Sequence, residues 1–190
     1  MKRILLALLL MTATLAAGAA DPVPSVAHVK LETTEGDIVL ELDGRRAPLT
    51  VANFLKLVDS GYYDGTIFHR VVPDFVLQGG GYDRDFALRE SGEAVPNESG
   101  NGLRNLRGTV SLARLSDPHT GVAQFFINLA DNRTLDPQPD RWGYAVFGYV
   151  IEGIDIIDKI AAVRTGPGGQ FPKDVPVIPV ILTKATRIGN

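Results

Sequence analysis

The chain has 190 residues, 45% of them hydrophobic, which is enough for one domain with a packed core and too apolar for a disordered chain. It contains no cysteine, so disulfide bonds, thiolate catalysis and cysteine-based metal sites are excluded. The formal net charge of −3 argues against nucleic acid as the main partner.

The first twenty residues differ in composition from the rest of the chain. Lys2 and Arg3 precede an uncharged run over residues 4–20, which ends in small residues before Asp21. This order predicts a secretory signal peptide over residues 1–20 that is cleaved on export; a retained membrane anchor is the alternative. Cleavage removes two basic residues and no acidic one, so the formal charge changes from −3 to −5. We therefore expect a periplasmic domain that is not bound to the membrane and does not bind nucleic acid.

The first predicted elements are two strands and a helix. A short tether with two prolines is expected over residues 21–27, followed by a strand over 28–34, where polar and apolar residues alternate. A turn leads to a second strand over 38–42, which gives an opening hairpin. Pro48 suits the first turn of a helix, because that position needs no backbone N–H, and Gly61 is expected to end this helix. The apolar stripe of the helix consists of Val51, Phe54, Leu55 and Val58.

The rest of the chain shows short strand patterns separated by loops. The predicted strands cover residues 66–72, 75–79, 109–113, 124–128, 144–150 and, after a Gly/Pro turn at 166–169, residues 175–187. A second helix is predicted from Ile154. Residues 80–107 form a long irregular segment that is either a lid or a connector, and we favour the connector. Many short strands with two helices predict a mainly β fold: a closed eight-stranded antiparallel β-barrel capped by the helices.

Two motifs carry most of the chemical information: FHRVVPDFVLQGG at residues 68–80 and QFFIN at residues 124–128. The common nucleophile, phosphate-loop and zinc-protease motifs are absent. The three histidines are widely spaced, which indicates structural or exposed residues rather than metal ligands. A hydrolase that uses His69 or His119 with Ser111 is one alternative, and it requires a hydrogen bond between imidazole and hydroxyl.

The first motif resembles the signature of the cyclophilins, which are peptidyl-prolyl cis-trans isomerases. SLA at 111–113 with QFFI at 124–127 resembles a second family signature, and LD at 135–136 and VFG at 146–148 fit a third region. The resemblance covers essentially the whole chain after the signal peptide. The chain is similar in particular to the bacterial periplasmic cyclophilins, which share FFIN, ADN and GYAVFG. This resemblance implies an isomerase without cofactor or metal that acts on proline-containing polypeptides and unfolded exported proteins.

Such an isomerase lowers the barrier to rotation about the X–Pro bond, which is ~18–20 kcal/mol because of amide resonance. A donor directed at the prolyl nitrogen withdraws its lone pair and favours the twisted amide. Arg70 is the candidate donor, because its guanidinium is planar and always charged. Gln78 is expected to hold a neighbouring carbonyl. The apolar seat for the proline ring is assigned to Phe75, Val76, Phe126 and Leu135. The predicted catalytic residues are therefore Arg70, Phe75 and Gln78.

The resemblance alone implies the remaining substrate-binding residues. These remaining residues are Ala113, Arg114, Leu115, Gln124 and Tyr144. The seat residues Val76, Phe126 and Leu135 complete the predicted substrate-binding set. Arg114 occupies a position where the family commonly has Asn, so we expect an altered peptide preference rather than lost activity. Thr134 stands where many eukaryotic members have a Trp that is important for binding cyclosporin, and Trp142 does not replace it. Weak cyclosporin binding is therefore expected.

Two further expectations concern assembly and turnover. The chain shows no heptad pattern and no apolar surface stripe, which predicts a monomer. A proline-peptide binding module or holdase with little turnover is the second hypothesis for the same fold. The intact Arg70 argues against it, because a protein that only binds peptide has no need to polarise the prolyl nitrogen.

Overall fold

A computed structural model describes residues 23–189, so the predicted signal peptide and part of the predicted tether lie outside the described residues. The strands are β1 (Val26–Thr33), β2 (Gly36–Asp43), β3 (Thr66–Ile67), β4 (Arg70–Val72), β5 (Val76–Gly79), β6 (Thr109–Leu112), β7 (Phe125–Asn128), β8 (Val146–Glu152), β9 (Thr165–Gly168), β10 (Phe171–Pro176) and β11 (Ile181–Ile188). The helices are α1 (Pro48–Asp59), α2 (Ile154–Ala161) and a 3₁₀ helix (Arg133–Leu135). Among the described residues, no helix has the length and apolarity that crossing a membrane requires.

Nine strands form one antiparallel sheet in the order β3-β11-β1-β2-β8-β6-β7-β5-β4, and β9 and β10 form a separate hairpin. The predicted mainly β fold with two helices is confirmed, whereas the closed eight-stranded barrel needs correction. The sheet is curled, and its two edges, β3 and β4, belong to one stretch of chain that was predicted as a single strand. Ile67 pairs with Ile181, whereas Arg70 pairs with Gln78. The two residues between β3 and β4 thus let the chain pass from one edge of the sheet to the other.

The end of the chain also differs from the prediction. The strand predicted over 175–187 is two strands, β10 and β11, with residues 177–180 between them. Pro179 lies in this gap, where it cannot donate a ladder hydrogen bond. The turn predicted at 166–169 is mostly the strand β9, and the chain reverses at Gly169, whose φ of 52° lies in the left-handed region.

The interior of the curled sheet is closed by α1. The predicted helix and its apolar stripe are confirmed, since the stripe residues are all buried. The Phe54 ring lies 5.6 Å from Phe125 and 5.1 Å from Phe147, which are inward-facing residues of β7 and β8. Helix α2 adds Ile157 and Ile160, both fully buried. Burial of this apolar surface is the main force that holds the helices to the sheet.

Residues 80–107 contain only isolated β-bridges and are fastened to the sheet at several points. Glu98 accepts hydrogen bonds from backbone N–H groups in the first turn of α1. Asn101 donates to a backbone carbonyl of β8 at 2.8 Å. Asn105 accepts a hydrogen bond from the Ser111 hydroxyl, which lies on the outer face of β6. Residues 98–105 of the segment are therefore fastened to the rest of the fold and cover part of the outer face of the sheet.

Candidate functional site

Side chains of β4, β5 and β7 alternate between the two faces of the curled sheet. Leu77 and Ile127 lie opposite one another and are fully buried in the core. Arg70, Gln78 and Phe126 form the neighbouring row, because residues opposite one another in an antiparallel ladder share a face. The predicted catalytic arginine and glutamine therefore lie together on the outer face, beside an aromatic residue.

A chain of hydrogen bonds joins the polar side chains of this row. Arg70 Nη1 donates to Gln78 Oε1 at 3.4 Å, and Gln78 Nε2 donates to Gln124 Oε1 at 3.1 Å. The guanidinium carbon of Arg70 lies 5.8 Å from the centre of the Phe75 ring, within cation–π range. Within residues 23–189, the bond to Gln78 is the one hydrogen bond that the structure gives to the Arg70 side chain. Most of the guanidinium N–H donors are therefore available to a ligand.

The predicted apolar seat lies beside this polar row. Phe126 and Val76 are buried and form its base, whereas Phe75 and Leu135 are half-buried. The Tyr144 ring meets Phe126 edge to face, with ring centroids 5.4 Å apart. The backbone N–H of Tyr144 also donates to Leu135 O at 2.9 Å, which fixes these two parts of the chain to each other.

A cleft of about 660 Å³ adjoins the polar row. The predicted site residues that line it are Arg70, Gln78, Ala113, Arg114, Leu115 and Gln124. The residues of the apolar seat and Tyr144 are not among its lining residues. Two arginines that line the cleft contact these residues. Arg70 contacts Phe75, and the guanidinium carbon of Arg114 lies 4.6 Å from the Tyr144 ring centre. The structure thus divides the predicted site into a cleft and an adjoining apolar seat.

An aromatic wall of the cleft was missed by sequence reasoning. It includes Tyr62, which follows α1, Tyr82 from the segment 80–107, and Phe171 from β10. The His69 ring stacks on Phe171 at 5.2 Å and meets Tyr82 edge to face at 4.7 Å. These aromatic residues are distant in sequence and share no motif, so no local signal predicts that they meet.

His69 is a buried, uncharged neighbour of Arg70 at neutral pH. Burial lowers the pKa of His69 to about 4, and the Arg70 guanidinium acts in the same direction. Its Nδ1 has no hydrogen-bond partner among the described residues. At neutral pH, Arg70 is therefore charged and the neighbouring His69 side chain is not.

The hydrolase alternative lacks its required geometry. Ser111 is fully buried, and its hydroxyl donates to Asn105 Oδ1 at 2.7 Å. His119 Nδ1 accepts a hydrogen bond from the backbone N–H of Asn97 at 3.0 Å, and His69 is enclosed by the aromatic wall. Across residues 23–189, neither imidazole hydrogen-bonds to Ser111, so the serine has no base to activate it.

The Arg114 side chain turns back onto the protein backbone. Its Nε donates to Gly143 O at 3.2 Å and its Nη2 to Trp142 O at 2.9 Å. Its Nη1 donates to the carbonyls of Leu115 and Ser116 at 2.8 and 3.2 Å. Arg114 therefore joins the loop after β6 to the segment before β8, and these four bonds hold its guanidinium against one wall of the cleft.

Thr134 and Trp142 lie in different surroundings. Thr134 is exposed, and its carbonyl accepts a hydrogen bond from Arg141 Nη2 at 2.9 Å. The Trp142 ring packs edge to face against His119 at 5.2 Å. It lines a separate cleft of about 400 Å³, whose lining residues do not include Thr134.

A cluster of buried polar side chains lies behind the seat. Its members, which we call the polar cluster, are Asn105, Ser111, Asn128, Asn132 and Asp136, each at most 8% exposed. Sequence reasoning assigned these residues no part in peptide binding. A partial signal existed, because Asn128 ends the QFFIN motif and Asp136 belongs to the LD motif.

Comparison with known proteins relates the chain to a family. Residues 28–187 match the family model described as cyclophilin type peptidyl-prolyl cis-trans isomerase/CLD. Peptidyl-prolyl cis-trans isomerase A of Dickeya dadantii is 45% identical, over 98% of this chain and 98% of the relative. Peptidyl-prolyl cis-trans isomerase cyp18 of Streptomyces antibioticus is 51% identical, over 85% of this chain and 98% of the relative.

The fold matches solved structures of the same kind. A cyclophilin type peptidyl-prolyl cis-trans isomerase of Cryptosporidium parvum superposes with a TM-score of 0.71 and 27% identity, covering 87% of this chain and 99% of that chain. A structure of that protein in the presence of the dipeptide Ala-Pro gives a TM-score of 0.70 at 28% identity, over 86% and 99% of the two chains.

Proposed function

Because the chain belongs to the cyclophilin-type peptidyl-prolyl cis-trans isomerases, we propose that Arg70 polarises the prolyl nitrogen of a bound peptide. The chain is a peptidyl-prolyl cis-trans isomerase, and its reaction breaks no covalent bond. One observation carries the proposed role of Arg70. Its guanidinium lies beside the Phe75 ring and is oriented by Gln78, with most of its donors available.

The proposed acceleration comes from a hydrogen bond that strengthens as the amide twists. In the planar cis and trans states, the lone pair of the prolyl nitrogen is delocalised into the carbonyl. In the twisted state the lone pair is localised on nitrogen and accepts a hydrogen bond from the guanidinium. Such a bond stabilises the transition state more than either ground state, which is the condition for faster turnover.

The apolar seat supplies the surroundings that this hydrogen bond needs. Phe75 and Leu135 are half-buried beside the buried Phe126, so a proline ring placed there displaces water from the region next to Arg70. Electrostatic interactions are stronger where water is excluded. Gln78 is proposed to hydrogen-bond to a substrate carbonyl. The Gln78 side-chain amide is oriented by its hydrogen bond to Gln124.

The test is the cis-to-trans rate of a short Ala-Pro peptide with the full chain and with Arg70→Ala. We expect kcat/KM to fall by about 10²- to 10³-fold, the usual loss when one donor to a transition state is removed. Arg84→Ala is the matched control, because it removes an exposed arginine from the segment 80–107. Arg84→Ala is expected to retain the wild-type rate.

Peptide binding, measured separately by calorimetry, distinguishes the possible outcomes. A collapsed rate with retained binding in Arg70→Ala supports the proposed role of the guanidinium. An unchanged rate in that variant contradicts it. A wild-type chain that binds the peptide without accelerating isomerisation would instead favour the binding module.

We propose that the isomerase acts on exported polypeptides as they fold in the periplasm. The order of basic, apolar and small residues over 1–20 supports export. Uncatalysed prolyl isomerisation takes about 10–100 s, slow enough to limit folding. Expression of the full chain in a bacterium with a periplasm tests the proposal by the mass of the protein in each fraction. Loss of residues 1–20 in the periplasmic fraction is expected, whereas the full mass in the membrane fraction would support the retained anchor.

Weak cyclosporin binding is also proposed. Thr134 is exposed and offers no aromatic surface at its position in the sequence. Thr134→Trp is expected to tighten cyclosporin binding measured by calorimetry, whereas Trp142→Ala is expected to leave it unchanged. A loss of binding in Trp142→Ala would show that this indole takes part after all.

A monomer is proposed as the assembly state. Sedimentation of the full chain at increasing concentration is expected to show one species with the mass of a single chain. A mass that rises with concentration would contradict the proposal.

A further inference from the structure

The polar cluster is hydrogen-bonded to the backbone of the seat. The Asn132 side-chain amide donates to Phe75 O at 2.7 Å and to Asn128 Oδ1 at 2.8 Å. Asn128 belongs to β7, the strand that carries Phe126 at the base of the seat. Asn132 therefore connects the turn that bears Phe75 to the strand at the base of the apolar seat.

The other half of the polar cluster reaches the opposite side of the seat. Asn105 Nδ2 donates to Asp136 Oδ1 at 3.1 Å, and Asp136 directly follows Leu135. Asn105 Oδ1 accepts from the Ser111 hydroxyl at 2.7 Å, and Ser111 lies opposite Phe126 in the ladder of β6 and β7. Asn128 Nδ2 lies 3.3 Å from the same Asn105 oxygen, so the two halves form one network.

Asn132 occupies the position at which this network meets two sides of the seat. Its backbone N–H donates to Asn105 O at 2.8 Å, and its carbonyl accepts from Leu135 N at 2.9 Å. It thus begins the 3₁₀ helix that carries Leu135, while its side chain holds the Phe75 carbonyl. Both hydrogens of its amide nitrogen are used, so the side chain has one defined orientation.

The Phe75 turn is held by hydrogen bonds to its backbone. Asp74, the preceding residue, has a φ of 57°, in the left-handed region that aspartate adopts more readily than most residues other than glycine. Phe75 O accepts hydrogen bonds from both the Asn132 amide and the Leu129 N–H. Together with the Phe75 N–H, which donates to Val72 O at 3.1 Å, these two bonds hold the backbone from which the Phe75 ring extends.

We propose that Asn132 is a positioning residue of the isomerase, which sets the spacing of Phe75 and Leu135 across the apolar seat. The inference rests on the proposed assignment of this seat to the proline ring. Without the Asn132 amide, the Phe75 turn and the 3₁₀ helix lose their direct connection. The proline ring is then held less closely beside Arg70, and a small misplacement of reacting groups has a large effect on rate.

The experiment compares Asn132→Ala and Asn132→Asp with the wild-type full chain, using an Ala-Pro peptide. We expect kcat/KM to fall by about tenfold in both variants, because even displacements of 1 Å reduce rates strongly. Asn132→Asp keeps the shape of the side chain but turns a carboxylate oxygen towards Phe75 O and Asn128 Oδ1, so its loss should be at least as large as that of Asn132→Ala if the two donor bonds position the seat. If Asn132→Ala does not fold, Asn132→Ser takes its place and is expected to lose less, because its hydroxyl keeps one donor.

Thr50→Val is the matched control for a purely structural effect. Thr50 is fully buried and its hydroxyl donates to Glu98 at 2.7 Å, at the start of α1. Loss of this hydroxyl removes one part-buried hydrogen bond outside the polar cluster. All rates are measured well below the unfolding midpoint of each variant, and Thr50→Val is expected to retain the wild-type kcat/KM.

A double-mutant cycle with Phe75→Leu gives a readout that a structural role would not change. If Asn132 acts through Phe75, the two substitutions have less than additive effects on kcat/KM, whereas Thr50→Val and Phe75→Leu are additive. Additive effects for Asn132, or a rate in Asn132→Ala within twofold of Thr50→Val, would overturn the inference. A wild-type chain without activity would contradict the proposed function itself, so the two failures are distinguishable.

Discussion

The inner and outer faces of β4, β5 and β7 carry side chains of opposite character although they share one backbone. On the inner face, Leu77 and Ile127 are fully buried and apolar. On the outer face, Arg70 and Gln78 hydrogen-bond to each other, and Phe126 forms the base of the apolar seat. A change of a single residue position along these strands therefore moves a side chain from the core to the site.

The two faces depend on different physical quantities. The inner face contributes the free energy of burial, which depends on buried apolar area and close packing and little on direction. Under the proposed mechanism, the function of the outer face depends on where each donor points, because a displaced donor would no longer meet the prolyl nitrogen. Substitutions on the inner face should therefore lower stability, and those on the outer face should lower turnover.

The largest expected effect is on the inner face. Leu77→Ala removes a fully buried side chain and should lower the free energy of unfolding by about 2–5 kcal/mol. Urea unfolding of the full chain measures this loss. Its kcat/KM, measured while the variant is still folded, should stay within about twofold of the wild type. A folded variant that has lost its activity would show that the two faces are not independent.

His69 lies at the break between β3 and β4 and gives the expected pH dependence. Its folded pKa is lowered from 6.5 to about 4, so below pH 6.5 the unfolded state binds a proton that the folded state does not. The associated stability is complete above pH 6.5 and decreases as the pH falls towards about 4, by up to ~3 kcal/mol. Urea unfolding at several pH values should show this slope in the wild type.

The dependence of the free energy of unfolding on pH that His69 causes should be absent in His69→Phe. This holds whatever the overall stability of that variant, because the titrating group is gone. His119→Gln replaces an exposed histidine and is the control that should keep the wild-type slope. A His69→Phe variant with an unchanged slope would assign the pH dependence to other groups.

A smaller effect is expected for Gln78 on the outer face. Gln78→Ala removes the acceptor that orients Arg70 and should lower kcat/KM by about tenfold, with less than ~1 kcal/mol change in the free energy of unfolding. The peptide assay and urea unfolding, carried out on the same samples, check both values. Gln170→Ala, an exposed glutamine in the β9–β10 hairpin, should change neither. A stability loss in Gln78→Ala that accounts for the lost activity would contradict the division between the faces.

The smallest effect is expected for Arg114. Arg114→Gln removes most of the hydrogen bonds from this side chain to backbone carbonyls. It should raise KM by about threefold with kcat nearly unchanged, because Arg114 supports a wall of the cleft and is not proposed to contact the X–Pro bond that rotates. The expected shift in peptide preference should appear when the residue before proline is varied. A drop in kcat with constant KM would place Arg114 closer to the reacting bond.

The sequence predicted those parts of the fold and site that depend on local periodicity. The shared orientation of Gln78 with Val76 and of Phe126 with Gln124 follows from the two-residue period of a strand, and the α1 stripe follows from the period of a helix. The motif 68–80 also predicted that Arg70 lies near Phe75 and Gln78, because these residues belong to one hairpin. The number of strands was not predicted correctly, since the pattern over 66–72 does not show that two residues leave the ladder between β3 and β4.

Only the tertiary structure decided which distant parts of the chain are in contact. Asn132 and Phe75 are 57 positions apart, and their hydrogen bond exists only because β7, the 3₁₀ helix and the turn before β5 meet. The aromatic wall around His69 likewise combines residues from the segment 80–107 and β10. A sequence states which side chains can donate, accept or stack. The curl of the sheet decides which of them are close enough to do so, because hydrogen bonds and ring contacts act over a few ångströms and depend on direction.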